Sequence, residues 1–292
     1  MRLGLGCAPL GGLYEPVSDD DARATIESAW EAGVRLFDTA PLYGSGISER
    51  RVGAALRERP RDEYTLSTKV GRLLVPGAPA PMFPGAGAAP RFDFSAEGVR
   101  RSLGESLDRL GLDRVDVALI HDPDEHMEQA LAETYPALEA LRSEGAVREI
   151  GVGMNQWQAL ARFVRETDVD CVLVAGRYTL LDRSAEAELL PLCAERGRTV
   201  HAAGVFNSGL LAGGATFDYV PASREQLERV RALDATCARW KVPLKAAALQ
   251  YPLRHHAVAD VIVGCRSPSE LEENVTLLEL PVPDGLWQEL DA

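Results

Sequence analysis

The chain has 292 residues, of which 46% are hydrophobic and 26% charged, and its formal net charge is −13. The length suits one α/β barrel domain over residues 1–292, and Arg interleaved with Asp and Glu, as in RERPRDE (57–63), leaves no basic stripe for a nucleic-acid partner. Five scattered cysteines (Cys7, Cys171, Cys193, Cys237, Cys265) without CxxC spacing argue against a zinc site and a disulfide framework, and for reduced thiols in a cytoplasm.

The opening MRLGLGCAPLGG lacks the basic region and long apolar run of a signal peptide. Residues 19–33 (DDDARATIESAWEAG) have an acidic first turn and a closing Gly33, as a helix start and stop should. RLFDT (35–39) and YTLSTKV (64–70) read as buried strands, with a helix over 48–58 between them. LLVPGAPAPMFPGAGAAPRFDF (73–94) is crowded with Pro, Gly and Ala and predicts no regular element. After the second predicted strand it falls on the C-terminal face of a barrel, as a plain connector or as a lid bringing Phe83, Phe92 or Phe94 to a pocket.

A helix over 95–111 has Ser95 as N-cap and Val99, Leu103, Leu107 and Leu110 on one stripe. Strands are then predicted at 115–121 (VDVALIH), 148–154 (REIGVGM), 170–176 (DCVLVAG), 199–205 (TVHAAGV) and 260–265 (DVIVGC). Helical patterns fall between them at 127–144, 155–166, 185–196, 224–239 and 243–254, and a last one at 268–275 precedes a weaker eighth strand, TLLEL (276–280). No apolar run approaches membrane-spanning length, so a soluble cytoplasmic protein, monomeric or weakly homo-oligomeric, is expected. Eight strands, apolar on both faces and alternating with helices, predict an α/β fold, a (β/α)8 TIM barrel. An open doubly wound sheet is the alternative, but no GxGxxG follows the first strand.

Four polar residues stand at or just past the ends of the first three predicted strands: Asp38, Tyr43, Lys69 and His121. At one barrel mouth they suit proton transfer to a carbonyl oxygen. A phenol is a poor acid at neutral pH, and a nearby ammonium eases its proton exchange by favouring phenolate. A carboxylate keeps that ammonium charged and placed, and an imidazole can orient the substrate oxygen or help move the proton. Such a set has no obvious nucleophile and points to hydride chemistry with a cofactor. Taken singly, each has a structural alternative: Lys69 as an interior ion pair with Asp38, Tyr43 as a loop aromatic, His121 as a hydrogen-bonding partner. The cluster HDPDEH (121–126) has the residue types of a metal-dependent hydrolase, but its spacing matches no metal motif, and no metal is expected.

FDTAPLYGSG (37–46), LSTKVG (66–71), LIHDPD (119–124) and IGVGMNQW (150–157) together resemble the aldo-keto reductase family, in its order and spacing, from about Leu5 to Leu290. The resemblance implies Tyr43 as general acid/base, Lys69 and Asp38 tuning it, His121 orienting the carbonyl, and Asn155 holding the nicotinamide carboxamide. GLGCAPLGGLY (4–14), VAGRYTLLDR (174–183) and GVFNSGLLAGG (204–214) resemble the bacterial branch of aldose 1-dehydrogenases, which oxidise a sugar at its anomeric carbon; pyridoxal 4-dehydrogenases look similar. General aldehyde and ketone reductases, and relatives that sense a cofactor without turnover, are the other readings; all four catalytic positions are filled. Arg177 and Tyr178 are candidates for lining the pocket, Arg177 equally for a structural salt bridge. Two positions depart from the family: Ala175 stands where many members carry Gln beside the nicotinamide, and Ala203 where many stack an aromatic. Short segments before the first and after the last predicted strand imply an open site.

For the dinucleotide, the small residues of GVFNSGLLAGG let backbone amides approach a pyrophosphate, which assigns Phe206, Asn207, Ser208, Gly209 and Leu210 to it. GCRSPSELEEN (264–274) resembles the family's adenosine-phosphate segment and adds Gly264, Arg266, Ser267, Glu270 and Asn274, with Ser267 also able to cap the following helix. Arg266 can meet a 2′-phosphate or stack on adenine. Glu270 stands where reductases of the family often have Arg, and a carboxylate there repels a 2′-phosphate. NAD is therefore expected, with NADP as the alternative, and the partner is a small-molecule substrate.

Overall fold

The structure, a computed structural model, describes residues 1–77, 82–83 and 86–291. Eight parallel strands close into a barrel: β1 (Leu3–Gly6), β2 (Leu36–Asp38), β3 (Thr65–Val70), β4 (Val117–His121), β5 (Glu149–Met154), β6 (Cys171–Ala175), β7 (Thr199–Ala203) and β8 (Val258–Gly264). Each strand pairs with its neighbours in chain order, and β8 closes on β1 with Leu3 opposite Val261 and Gly6 opposite Gly264. Leu36, Val117, Leu119, Cys171, Leu173 and Ile262 pack together as the barrel's filling. The larger core lies between strands and helices, which is why the strands are apolar on both faces.

The eighth strand is at the start of the chain, not the end. Of residues 276–280, expected as a strand, 276–279 belong to the helix Pro268–Glu279 and Leu280 is its C-cap; Ser267 caps the other end by accepting the Glu270 amide at 3.3 Å. A further helix, Asp284–Asp291, follows. β1 was missed because LGLG carries two glycines and little β-propensity. Its glycine is steric: a Cβ on Gly4 would lie 3.0 Å from the Leu36 side chain inside the barrel. Every strand named from the sequence therefore moves up one place: Asp38 and His121 end β2 and β4, and Lys69 is the last residue but one of β3.

The segment 73–94 also departs from expectation. Arg72–Pro76 pairs antiparallel with Ala88–Phe92 as a hairpin beyond β3; residues 78–81 and 84–85 lie outside the described residues. Among the described residues no helix is long and apolar enough to cross a membrane.

Candidate active site

β2 delivers Asp38 to the C-terminal mouth of the barrel, and the chain then turns through residues 39–46 into the helix Ile47–Leu56. Tyr43 stands on that turn. Two glycines set its height: a Cβ on Gly11 would lie 2.6 Å from the Tyr43 carbonyl carbon, and one on Gly44 would lie 2.2 Å from the Gly11 oxygen. The turn thus rests backbone on backbone against the loop after β1. Below it the buried Glu49 carboxylate accepts Thr68 Oγ1 at 2.8 Å and Arg109 Nε at 2.5 Å, tying the helix to β3 beside Lys69.

Lys69 is 2% exposed and donates from Nζ to Asp38 Oδ2 at 2.7 Å and to the Thr39 carbonyl at 2.9 Å. Ser67 Oγ donates to the other Asp38 oxygen at 2.9 Å. The ammonium lies 4.7 Å from the Tyr43 ring centroid, and the His121 ring meets Tyr43 edge-on with centroids 6.0 Å apart. Asp38, Tyr43, Lys69 and His121 are thus brought together as expected.

Their electrostatics differ from the sequence-based expectation in one respect. Burial raises the Tyr43 phenol above its ordinary range; Lys69 opposes this and Asp38 adds to it, so the phenol is not lowered. Burial pulls the Lys69 ammonium down, but the charges of Asp38 and Tyr43 more than offset it, and the amine stays protonated. Burial, then the charges of Arg72 and Lys69, hold the His121 imidazole well below its usual value, so it is neutral near pH 7.

Two residues missed by sequence reasoning complete this corner. Asp122, at φ 44°, places Oδ2 3.5 Å from His121 Nε2 and accepts Arg72 Nη2 at 2.5 Å. Arg72, Asp122, Asn155, Gln156 and Phe92 contribute to a cavity of about 430 Å³ beside Asp122, the residue that follows His121. Of the candidate lid aromatics, Phe92 lines this cavity, Phe83 is buried with its ring 6.0 Å from that of Tyr43, and Phe94 is buried against Gly71. His126 of the HDPDEH cluster packs against the rings of Phe92 and Phe94, 5.4 and 5.2 Å away, which themselves stack at 5.9 Å.

A groove of about 660 Å³ leads from Asn155 and Ala175 past Phe206, Asn207, Ser208 and Gly209 to Gly264, Arg266, Glu270 and Asn274. Its floor is narrow in side chain: a Cβ on Gly204 would come within 3.0 Å of the Gly176 amide nitrogen. Asn155 Nδ2 donates to the Ala175 carbonyl at 3.0 Å, and Asn274 Oδ1 is buried without a partner. Size, glycine floor and this unspent acceptor fit a dinucleotide.

Leu210 and Ser267 are corrected as groove residues, and Arg177 takes the structural alternative. Leu210 is 1% exposed and packs in the core instead of the groove. Ser267 caps its helix and is not on the groove wall. Arg177 grips Asp218 with two hydrogen bonds, 3.0 and 2.6 Å, as a structural pair, and Tyr178 is buried. Asn207 does line the groove, but its amide is spent on the Gly176 carbonyl and the Thr179 hydroxyl. Lys245 and Glu273, paired at 2.5 Å, line the groove and were not anticipated, since a helical pattern does not reveal which face meets a distant loop.

A barrel mouth with this polar group beside a glycine-floored groove defines a nicotinamide-dependent oxidoreductase. The chain matches the aldo/keto reductase family over residues 2–292, and it belongs to that family. It is 45% identical to a D-threo-aldose 1-dehydrogenase from Pseudomonas sp, covering 99% of this chain and 92% of that protein. It is 43% identical to a pyridoxal 4-dehydrogenase from Microbacterium luteolum, with 99% and 92% covered. Among solved structures it resembles an aldo-keto reductase from Bacillus halodurans in its holo form, with a TM-score of 0.82 and 28% identity over 99% of this chain and 91% of that one.

Proposed function

We propose that the protein is an aldose dehydrogenase preferring NAD, working as one catalytic unit over residues 1–292 and oxidising a sugar at its anomeric carbon. The observation that carries the chemistry is the phenol of Tyr43 standing over an ammonium locked to the Asp38 carboxylate. Asn155, the 206–209 turn, Gly264, Arg266, Glu270 and Asn274, with Lys245, would hold the dinucleotide. When bound, the dinucleotide accepts hydride in oxidation and supplies it in reduction.

The chain's own residues move and place the proton. Tyr43, protonated near pH 7, donates to a carbonyl oxygen in reduction; its phenolate, favoured by Lys69, accepts the hydroxyl proton in oxidation. Asp38 holds Lys69 charged and aimed. His121, neutral, orients the substrate oxygen. Oxidation removes a hydride from the anomeric carbon and a proton from its hydroxyl, leaving a lactone. The polar cavity of Arg72, Asp122, Asn155 and Gln156 supports a polyhydroxylated substrate, as does the similarity to an aldose dehydrogenase.

The preference for NAD rests on charge. Glu15, Glu270 and Glu273 line the groove, and its cations Arg266 and Lys245 are each paired with one or more of them. A 2′-phosphate would meet carboxylates and committed cations. The test is absorbance of reduced nicotinamide, with NAD and then NADP, against aldoses including fucose and galactose. Pyridoxal and simple aldehydes complete the panel. Sugar-dependent reduction of NAD is expected; turnover of pyridoxal or aldehydes alone would reassign the substrate.

A further inference from the structure

Thr216–Phe217 pairs with Val220–Pro221 as a small antiparallel hairpin after β7, with Phe217 opposite Val220. That register leaves a two-residue turn, Asp218–Tyr219, with φ of 46° and 67°. Two left-handed central residues are the pattern that favours Asn-Gly, because a side chain at the second position crowds its own backbone. Here that position holds a tyrosine, 51% exposed. Strain and an exposed aromatic together gain the fold nothing, and such local cost is characteristic of functional positions.

The turn is not loose. Asp218 takes both hydrogen bonds from Arg177, Thr216 Oγ1 donates to the Ser208 carbonyl at 2.6 Å, and the Tyr219 amide donates to Ser208 Oγ at 3.2 Å. So held, Tyr219 lines the groove, and its ring meets that of Tyr14, from the loop after β1, with centroids 6.1 Å apart. Tyr14 is likewise exposed and left-handed, at φ 66°. Leu13, the neighbour of Tyr14, packs with Tyr43 against Leu42 and Phe83, so the Tyr14–Tyr219 pair borders the catalytic corner. On the wall below, Ala175 and Gly204 present no ring.

We propose that Tyr219 is a specificity-determining residue whose ring roofs the cleft on the Tyr43 side and packs on the C–H face of the bound aldose. An aromatic face excludes water from one side of a sugar ring while its hydroxyls turn to the polar cavity. The inference rests on the dehydrogenase reading above.

Tyr219→Gly and Tyr219→Phe test it, through the thermal midpoint of the free protein, NAD affinity by fluorescence quenching, and steady-state oxidation of the preferred aldose. For Tyr219→Gly the expected result is a midpoint unchanged or raised, NAD affinity within about threefold, and KM for the aldose raised tenfold or more with kcat changed far less. Tyr219→Phe should keep the KM. A lowered midpoint with unchanged KM would make the residue structural, and a parallel loss of NAD affinity would make it part of the cofactor site; either overturns the proposal. No aldose oxidation by the unaltered protein would instead overturn the dehydrogenase reading, and this inference with it.

Discussion

Gly44 and Gly11 touch with no room between them: a Cβ on Gly44, at φ 62°, would lie 2.2 Å from the Gly11 carbonyl oxygen. Neither partner is a side chain that can swing away, so any residue but glycine must move one loop against the other. Gly44→Ala should therefore destabilise the fold by roughly 1–3 kcal/mol and shift Tyr43. A displacement of about 1 Å can lower kcat on the order of 100-fold. Chemical denaturation and steady-state rates check both effects; a stable variant with normal kcat would mean the turn does not set the position of Tyr43.

Tyr43→Phe removes the proton carrier and keeps the ring against Phe83 and His121. Turnover should fall by about 10²–10⁴, with dinucleotide affinity nearly intact. Because burial raises the phenol, carbonyl reduction in the unaltered enzyme should stay level through neutral pH while oxidation climbs toward alkaline pH. Lys69→Met should suppress that climb. It should also destabilise the protein by about 3–5 kcal/mol, since Asp38 is left buried without its counter-ion. Oxidation that declines above neutral pH would assign the base elsewhere.

The four candidate catalytic positions were legible because each stands at a strand end or in the adjoining loop, and strand ends point to the mouth of a barrel whatever the register. The strand count was right and one member was wrong. LGLG is a strand only because the barrel interior at Gly4 has no space for a side chain, a tertiary fact that propensity cannot report. All of TLLEL but its last residue is helical, because Ser267 and Pro268 start a helix whose face packs inward at Leu271. Asp122 lay inside a recognised motif, yet its link to Arg72 spans 50 residues and a hairpin that the Pro and Gly content concealed. The same holds for Lys245 and Tyr219, which reach the groove from elements whose local patterns describe only themselves.

His121 gives a dependence of stability on pH with a definite sign. Its folded value is held well below the ordinary 6.5 by burial and by Arg72 and Lys69, so below 6.5 the unfolded chain binds a proton that the native state refuses. Its contribution to stability is whole above that value and is lost as pH falls from there toward the folded value. The slope reaches at most about 1.4 kcal/mol per pH unit. Asp122, raised by burial, acts in the opposite sense at lower pH. Urea denaturation between pH 7.5 and 5 should show a steeper loss in the unaltered protein than in His121→Gln. Equal slopes would mean the imidazole is protonated in the native state.

On the NAD preference proposed above, Glu270 is the residue that sets the choice between the two dinucleotides. Its Oε2 accepts the Arg266 amide at 2.8 Å and its Oε1 lies 3.4 Å from the Arg266 guanidinium, which also reaches Glu15 at 2.9 Å. Arg266 is therefore neutralised from two sides where a 2′-phosphate would need it. Glu270→Gln keeps an acceptor for the amide and removes one charge, so NADP should bind about tenfold more tightly, a gain of about 1.4 kcal/mol, while NAD changes by less than about threefold. Titration of both dinucleotides against both proteins measures this directly. If NAD instead weakens tenfold with no gain for NADP, the carboxylate holds the free ribose hydroxyls, and the preference comes from attraction to NAD and not from repulsion of the phosphate.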